Sequence, residues 1–384
     1  MSSTKGFNRT IGFTTAISVV ISGVIGSGIF MRPAEMAGLL GSPILIFAAW
    51  VIAGIFSIFS IMVIAEVGAM MPATGGQYVF MEKMYGDFWA YLYGWANFAV
   101  INTASGAGIT FICAQYAEYF ITLPRFSQEV EQSIILHVPL VGDIIPLENF
   151  GVKLLTVLLV TIFSFVAYRS TKLSGSIQVV FTIAKVLAIV MLVGGLFLSG
   201  NGNYNNFITN SPTLVPAGFA LVVAMVAACN GALQAYDGAY MLVYMAGEIK
   251  NPGKIIPRSL ILGLFICMII YMLTTASMMY ILPVQDMAVS QLVASDAAKI
   301  AFGTIGGGII ALLICLSVLG PTNTTILSSP RLTFAMANHK NFFAWAGKIH
   351  PAFNTPGKAI LLHLVWMILM VFSGSFNILS DMYM

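Results

Sequence analysis

The chain has 384 residues, of which 59% are hydrophobic and only 8% charged, against about 25% charged in a soluble globular protein. No water-soluble fold could bury so much apolar surface, and the apolar residues fall in runs of about 20, the length a helix needs to cross a bilayer. The net charge of +3 is small and no basic cluster carries interleaved aromatics, which argues against a nucleic-acid partner.

The polar N-terminus MSSTKGFNRT runs into an apolar stretch with no small-residue cleavage site, so a retained first helix is expected and not a signal peptide. Nine helical spans are predicted, at residues 11–31, 43–67, 88–120, 150–168, 176–199, 214–247, 258–282, 302–335 and 357–374, with the last ten residues leading towards another. Helices follow because lipid offers backbone groups no partners. Runs such as 154–166 and 177–197 do not alternate, as barrel strands would.

Span 1 breaks its apolar run at Ser22-Gly23-Val24-Ile25-Gly26-Ser27-Gly28, placing three glycines in six residues. A helix prefers none there, so it is expected to unwind. A phosphate loop is excluded, since no Gly-Lys-Ser/Thr follows and no strand precedes. After span 2 comes an inner loop, residues 68–86, bordered by Glu66, Glu82 and Lys83, whose Pro72-Ala73-Thr74-Gly75-Gly76 turn precedes a short amphipathic stretch. It reads as a solvated connector, with a gate as the alternative. The connection 122–149 carries Arg125, Glu129, Glu131, Asp143 and three prolines, and is expected to be a surface excursion without a core.

Span 5 holds Lys185 among apolar neighbours, where an ammonium costs several kcal/mol (about 3) unless it pairs or deprotonates. It is a candidate to replace a bound sodium ion or carry a proton; the plainer reading is a lysine that snorkels or braces carbonyls. Span 6 repeats the interruption at Asn230-Gly231-Ala232-Leu233-Gln234-Ala235-Tyr236-Asp237-Gly238. Matched breaks in spans 1 and 6 are what two inverted repeats of five helices produce, which places a first repeat at 11–199 and a second at 213–384 within one transmembrane domain, residues 1–384. In span 8, Gly320-Pro321-Thr322-Asn323 predicts a helix break, with Thr322 and Asn323 as candidate acceptors for Lys185.

Unwound backbone inside a membrane must find polar partners, and a zwitterion supplies them. Free N–H groups at Ser27 and Gly28, where a half-helix begins, favour a carboxylate. Open carbonyls at Val24, Gln234, Ala235 and Asp237 suit an ammonium. Asp237 itself is a charged partner, a proton site or a cap for a helix restarting at Gly238. The candidate substrate site is thus Val24, Ile25, Gly26, Ser27 and Gly28 with Gln234, Ala235, Tyr236 and Asp237. The plainer reading of each glycine cluster is close helix packing.

Lysine and arginine accumulate on the cytoplasmic side of membrane proteins. With the N-terminus inside, that side takes Lys5, Arg9, Lys83, Arg169, Lys172, Lys250, Lys254, Arg258, Arg331, Lys340, Lys348 and Lys358, and the other only Arg32, Arg125, Lys153 and Lys299. Twelve against four places the N-terminus in the cytoplasm. Cys113, Cys229, Cys267 and Cys315 lie in apolar runs without CxxC spacing, so neither a metal nor a disulfide framework is expected. Membrane-embedded catalysis needs a nucleophile and base or metal ligands in reach. His137, His339, His350 and His363 are the four histidines, and no HExxH or GxSxG occurs, so an enzyme is not expected and no cofactor is called for.

The motifs IGSGIF (25–30), PATGGQY (72–78), AYDG (235–238) with GEIKNPGKIIPRS (247–259), and SSPRLTFAMA (328–337) follow one another in order. On these the chain resembles the amino acid, polyamine and organocation transporters, particularly the L-type amino acid transporter branch and its bacterial relatives, from about residue 11 to 376. The resemblance implies two inverted five-helix repeats with two further helices, and secondary active transport of an amino acid by alternating access in the cytoplasmic (inner) membrane, by exchange or with a proton. It implies that the backbone of Gly26, Ser27 and Gly28 holds the carboxylate and that Lys185 links spans 1 and 8 where distant relatives bind sodium. Members often carry an aromatic residue just before AYDG and a tryptophan after it; here Gln234 and Ala239 stand there, so the side-chain pocket is expected to differ. Animal members attach to a glycoprotein through a cysteine between spans 3 and 4, and this loop has none, so no disulfide-linked heavy subunit is expected. The chain ends at Met384 before a tenth span can form, as expected of a fragment of a longer reading frame. The alternative function is a sensor that binds an amino acid without moving it.

Overall fold

The computed structural model describes residues 7–138, 142–212, 214–290 and 292–373. Among these, seven segments are long and apolar enough to cross a membrane: Phe13–Leu40, Pro43–Met70, Asp87–Ala117, Phe150–Arg169, Thr171–Leu198, Pro252–Ile281 and Ile305–Asn338. Two shorter apolar helices, Phe219–Ala235 and Gly357–Ser373, fall where spans 6 and 9 were predicted. The chain is an all-α, multi-pass membrane protein. A small antiparallel hairpin, Leu136–Val138 against Gly142–Ile144, decorates the connection between spans 3 and 4. The predicted approach to a tenth span, residues 375–384, lies outside the described residues.

Span 5 shows why the bundle suits lipid. Val180, Ile183, Leu187 and Val190 point outwards, each more than half exposed, while Gln178, Thr182 and Lys185 on the opposite face are buried to 4% or less. A water-soluble helix would show the reverse. Ser170 starts this helix by accepting from the Leu173 N–H at 3.1 Å, a cap that satisfies one of its orphan donors. The first half of span 1 is surrounded by spans 5, 7 and 8, and the second half lies on the first half of span 6; span 8 packs on spans 3 and 5. The two interrupted spans therefore run through the middle of the bundle.

Several boundaries differ from the sequence expectation. Span 1 does not stop at residue 31 but continues to Leu40, so Arg32 sits in the helix and not in an outer loop. Pro33 is carried inside it, and Met36, Ala37 and Leu40 are fully buried. Termination comes at Gly41, with φ +59 and its N–H bonded to the Ala37 carbonyl at 2.9 Å, the left-handed end that glycine permits. Span 8 is unbroken from Ile305 to Asn338 despite Pro321 and Pro330; the predicted break at Gly320–Asn323 does not occur. Span 3 carries one π-helical turn, Asn97–Ile101, and the amphipathic stretch of the inner loop is a helix, Gln77–Tyr85.

Candidate functional site

Span 1 is helical from Phe13 to Val24 and again from Gly28. Ile25 turns extended, φ −75° and ψ 101°, and the chain resumes its helix only after Gly26 and Ser27. Ile25, Ile29 and Phe30 are fully buried, whereas Gly26, Ser27 and Gly28 are partly exposed. No side chain caps the new helix at Ser27; the Phe30 N–H bonds the Ser27 carbonyl at 3.0 Å, but the N–H groups of Gly28 and Ile29 before it have no acceptor within the helix. They form an uncapped positive helix end facing a space, the arrangement that binds anionic groups.

The break in span 6 lies later than the sequence suggests. Asn230 to Ala235 are helical, residues 236–240 form turns, and helix returns at Met241–Tyr244. Glycine at 231 therefore does not unwind the helix, and the restart is not at Gly238. Gly238 instead adopts φ +99, a conformation costly for other residues, and brings the two breaks into contact. A Cβ on Gly238 would lie 2.6 Å from the Gly23 carbonyl oxygen, and one on Gly23 would lie 3.0 Å from that of Gly238. Backbone meets backbone there, which only glycines allow.

Behind this contact stands Tyr271 of span 7, a residue the motif reading missed. Its hydroxyl lies 2.9 Å from the Val24 carbonyl and 2.8 Å from that of Ala235, so it ties the two breaks together. One hydroxyl hydrogen serves only one carbonyl fully at a time, and each carbonyl retains acceptor capacity. The ring stacks on Tyr236 with centroids 5.1 Å apart and meets Trp50 edge-on at 5.2 Å. The signal available in the sequence was a phenol in the middle of an apolar run, whose buried O–H must find a partner.

A cavity of about 200 Å³ opens between the breaks, lined by Val24, Gly26, Ser27, Gly28, Gln234, Ala235 and Asp237 of the predicted set, together with Arg32, span 3 from Ala104 to Ile112, Met241, and Pro321 and Thr325 of span 8. It is smaller than the roughly 300–1,000 Å³ of drug-sized sites and suits a small solute. Two predicted members stand apart. The Ile25 side chain is buried and its carbonyl faces Lys185. Tyr236 turns away, its hydroxyl donating to the Trp50 carbonyl at 3.3 Å.

Lys185 is fully buried beside the span 1 break. Its ammonium donates to the carbonyls of Ile25 and Ser317 at 2.7 Å each, and more weakly to that of Ser22 at 3.4 Å. Ser317 lies four residues before Pro321, whose ring has no N–H to give it. The lysine thus supplies the missing donor, which explains how span 8 passes its proline unbroken. Gly320 makes room for it, since a Cβ there would lie 2.9 Å from Lys185 Nζ. Thr322 and Asn323 are not the acceptors. Thr322 bonds the Val318 carbonyl and Thr110, and Asn323 bonds Ser174 and Gln178 of span 5.

Towards the N-terminal side the packing is tight. Arg331, fully buried, donates to Glu248 at 2.8 Å and to Thr171 at 2.9 Å. Residue 11 pairs with the same segment, Ile11 N–H to the Glu248 carbonyl at 3.0 Å and Lys250 N–H to the Ile11 carbonyl at 2.9 Å. Gly75 of the inner loop bonds the Tyr244 carbonyl at 2.9 Å, and Glu82 meets His339 at 2.6 Å. The motifs of the inner loop, of the end of span 6 and of the end of span 8 therefore converge on one plug, so the loop is more than a solvated connector. Gln234 and Asp237, on the other side, are exposed.

The sequence matches the family described as amino acid permease over residues 11–384. Among curated relatives, the serine/threonine exchanger SteT of Bacillus subtilis (strain 168) is 29% identical over 380 residues, 98% of this chain and 80% of that protein. The b(0,+)-type amino acid transporter 1 of Homo sapiens is 26% identical, covering 99% of this chain and 73% of its own length. The large neutral amino acids transporter small subunit 2 of Homo sapiens is 26% identical, covering 98% and 65%.

Proposed function

The chain belongs to the amino acid permease family, and from that premise we propose that it carries a neutral amino acid by alternating access, through exchange or together with a proton, by way of the cavity between the two breaks. Amino acid transport is the activity its relatives share. The observation that carries the site is the backbone contact of Gly23 with Gly238. It sets the uncapped N–H groups after Ser27 on one wall and the Val24 and Ala235 carbonyls close by, so that both ends of a zwitterion find partners that lipid denies.

In this reading spans 1 to 5 and spans 6 onwards are two inverted repeats, the N-terminus lies in the cytoplasm, and the membrane is the cytoplasmic one. The buried Arg331–Glu248 plug then closes the cytoplasmic side while the Arg32–Gln234 side gives access. Lys185 joins the break in span 1 to span 8 and is the proposed coupling point, because a change in either element moves its acceptors.

Gly28→Phe tests the site. A Cβ at Gly28 already lies 3.5 Å from that of Ala235, so a phenyl ring must enter the cavity or push the breaks apart. Uptake of neutral amino acids into proteoliposomes is expected to vanish while the variant still inserts as a monodisperse protein. Uptake at the unmutated rate contradicts the backbone site.

A further inference from the structure

Two side chains meet across the cavity beyond the backbone site. Arg32 lies one turn into the second half of span 1, Gln234 one residue before the first half of span 6 ends, and both line the cavity. The Arg32 guanidinium donates to Gln234 Oε1 at 2.6 Å and to Glu35 Oε2 at 2.5 Å. Gly231, one turn before Gln234, provides the floor for this arrangement. A Cβ there would sit 3.6 Å from Glu35 Oε2 and 3.7 Å from Arg32 Cδ, so a larger side chain would lift the pair away from span 6.

The remaining hydrogen-bonding capacity has a direction. A guanidinium carries five N–H donors and no acceptor, and Glu35 and Gln234 engage only part of them. Gln234 spends its oxygen on Arg32, which leaves its amide hydrogens free to donate. At Arg32 and Gln234 the cavity therefore offers donors, so a substrate side chain that reaches these two groups must accept; the Asp237 carboxylate, which lines the same cavity, is an acceptor. Charge narrows the class further. Arg32 is already paired with Glu35, so a second carboxylate has to compete for it, while an ammonium meets a like charge at close range.

We infer that Arg32, held between Glu35 and Gln234, is the specificity-determining residue of the cavity, admitting neutral amino acids whose side chain carries a hydroxyl or amide oxygen and excluding cationic ones. The inference rests on the cavity being the substrate site. Arg32 reads the side chain and the backbone breaks read the zwitterion, so losing one leaves the other function in place.

The test is L-serine uptake into proteoliposomes, competed by L-glutamine, L-leucine and L-lysine, for the unmutated protein and for Arg32→Gln, Arg32→Lys and Gln234→Leu. The unmutated protein is expected to take up serine, to be inhibited by glutamine and to ignore lysine. In Arg32→Gln the Glu35 carboxylate loses its paired cation, and the lysine concentration for half-inhibition falls by about tenfold or more, the scale of removing one nearby like charge from a partly solvated site. Arg32→Lys keeps lysine out. Gln234→Leu narrows the preference for serine over leucine without admitting lysine, and it decides the matter if Arg32→Gln does not fold. Lysine inhibition that is strong in the unmutated protein, or identical in Arg32→Gln, overturns the role of Arg32, as does an unmutated protein that ignores serine. If Gly28→Phe transports normally, the substrate site itself is misplaced, a failure these ratios do not imitate.

Discussion

Replacing Lys185 with alanine removes the donor shared by two well-placed buried carbonyls, those of Ile25 and Ser317 at 2.7 Å each. A buried polar group left without its partner costs about 1–3 kcal/mol, so the two together predict a loss of about 2–6 kcal/mol. The Ser317 share is special, because Pro321 denies that carbonyl its helical partner. Lys185→Ala combined with Pro321→Ala restores an N–H four residues along and should recover about 1–2 kcal/mol of the loss. Thermal unfolding of the purified single and double variants in detergent measures the cycle, and uptake measured alongside should fall far more than insertion in the single variant. Effects of the two substitutions that add within about 0.5 kcal/mol would refute the idea that the lysine stands in for the missing amide.

Other consequences follow from the same contacts. Gly238→Ala places a Cβ 2.6 Å from the Gly23 oxygen at φ +99, so uptake should be lost, with a strain of about 1–2 kcal/mol from the left-handed backbone alone; uptake and melting temperature equal to the unmutated protein would contradict the close approach. Tyr271→Phe removes the hydroxyl that ties Val24 to Ala235, and is expected to lower stability by about 1–3 kcal/mol in detergent melts; an unchanged melt would show that the tie carries nothing. Glu248→Ala leaves the Arg331 guanidinium buried without its carboxylate, a loss of about 3–5 kcal/mol, whereas Glu248→Met with Arg331→Met should recover most of it. A double variant as unstable as the single one would count against that pairing.

The spans and the first break were legible because their causes are local. Apolar runs of bilayer length and three glycines in six residues act on the chain wherever it folds. Lys185 was legible for the opposite reason, since a lone ammonium among apolar residues demands partners. The position of the second break was not, because Gly231 serves as a floor for Arg32 and Glu35 while Gly238 makes the turn, and composition does not separate packing glycines from unwinding ones. The apolar run of span 1 is interrupted at Arg32, which is where the predicted span stops, whereas the helix carries on through Pro33 and ends at Gly41. Span 8 misled through Pro321, whose disruption is repaired by a side chain from another span. That repair, like the Tyr271 tie, depends on tertiary neighbours that no window of sequence contains.

The most direct test of the account is substrate protection at the break in span 1. Ser27→Cys, made with the four native cysteines replaced, places a thiol on the cavity wall between the two uncoiled segments. Labelling by a water-soluble thiol reagent is predicted to proceed from the Arg32–Gln234 side and to be blocked by a transported amino acid over the same concentrations that saturate uptake. A thiol that never reacts, or one that reacts equally with and without the amino acid, would show that the substrate does not bind there.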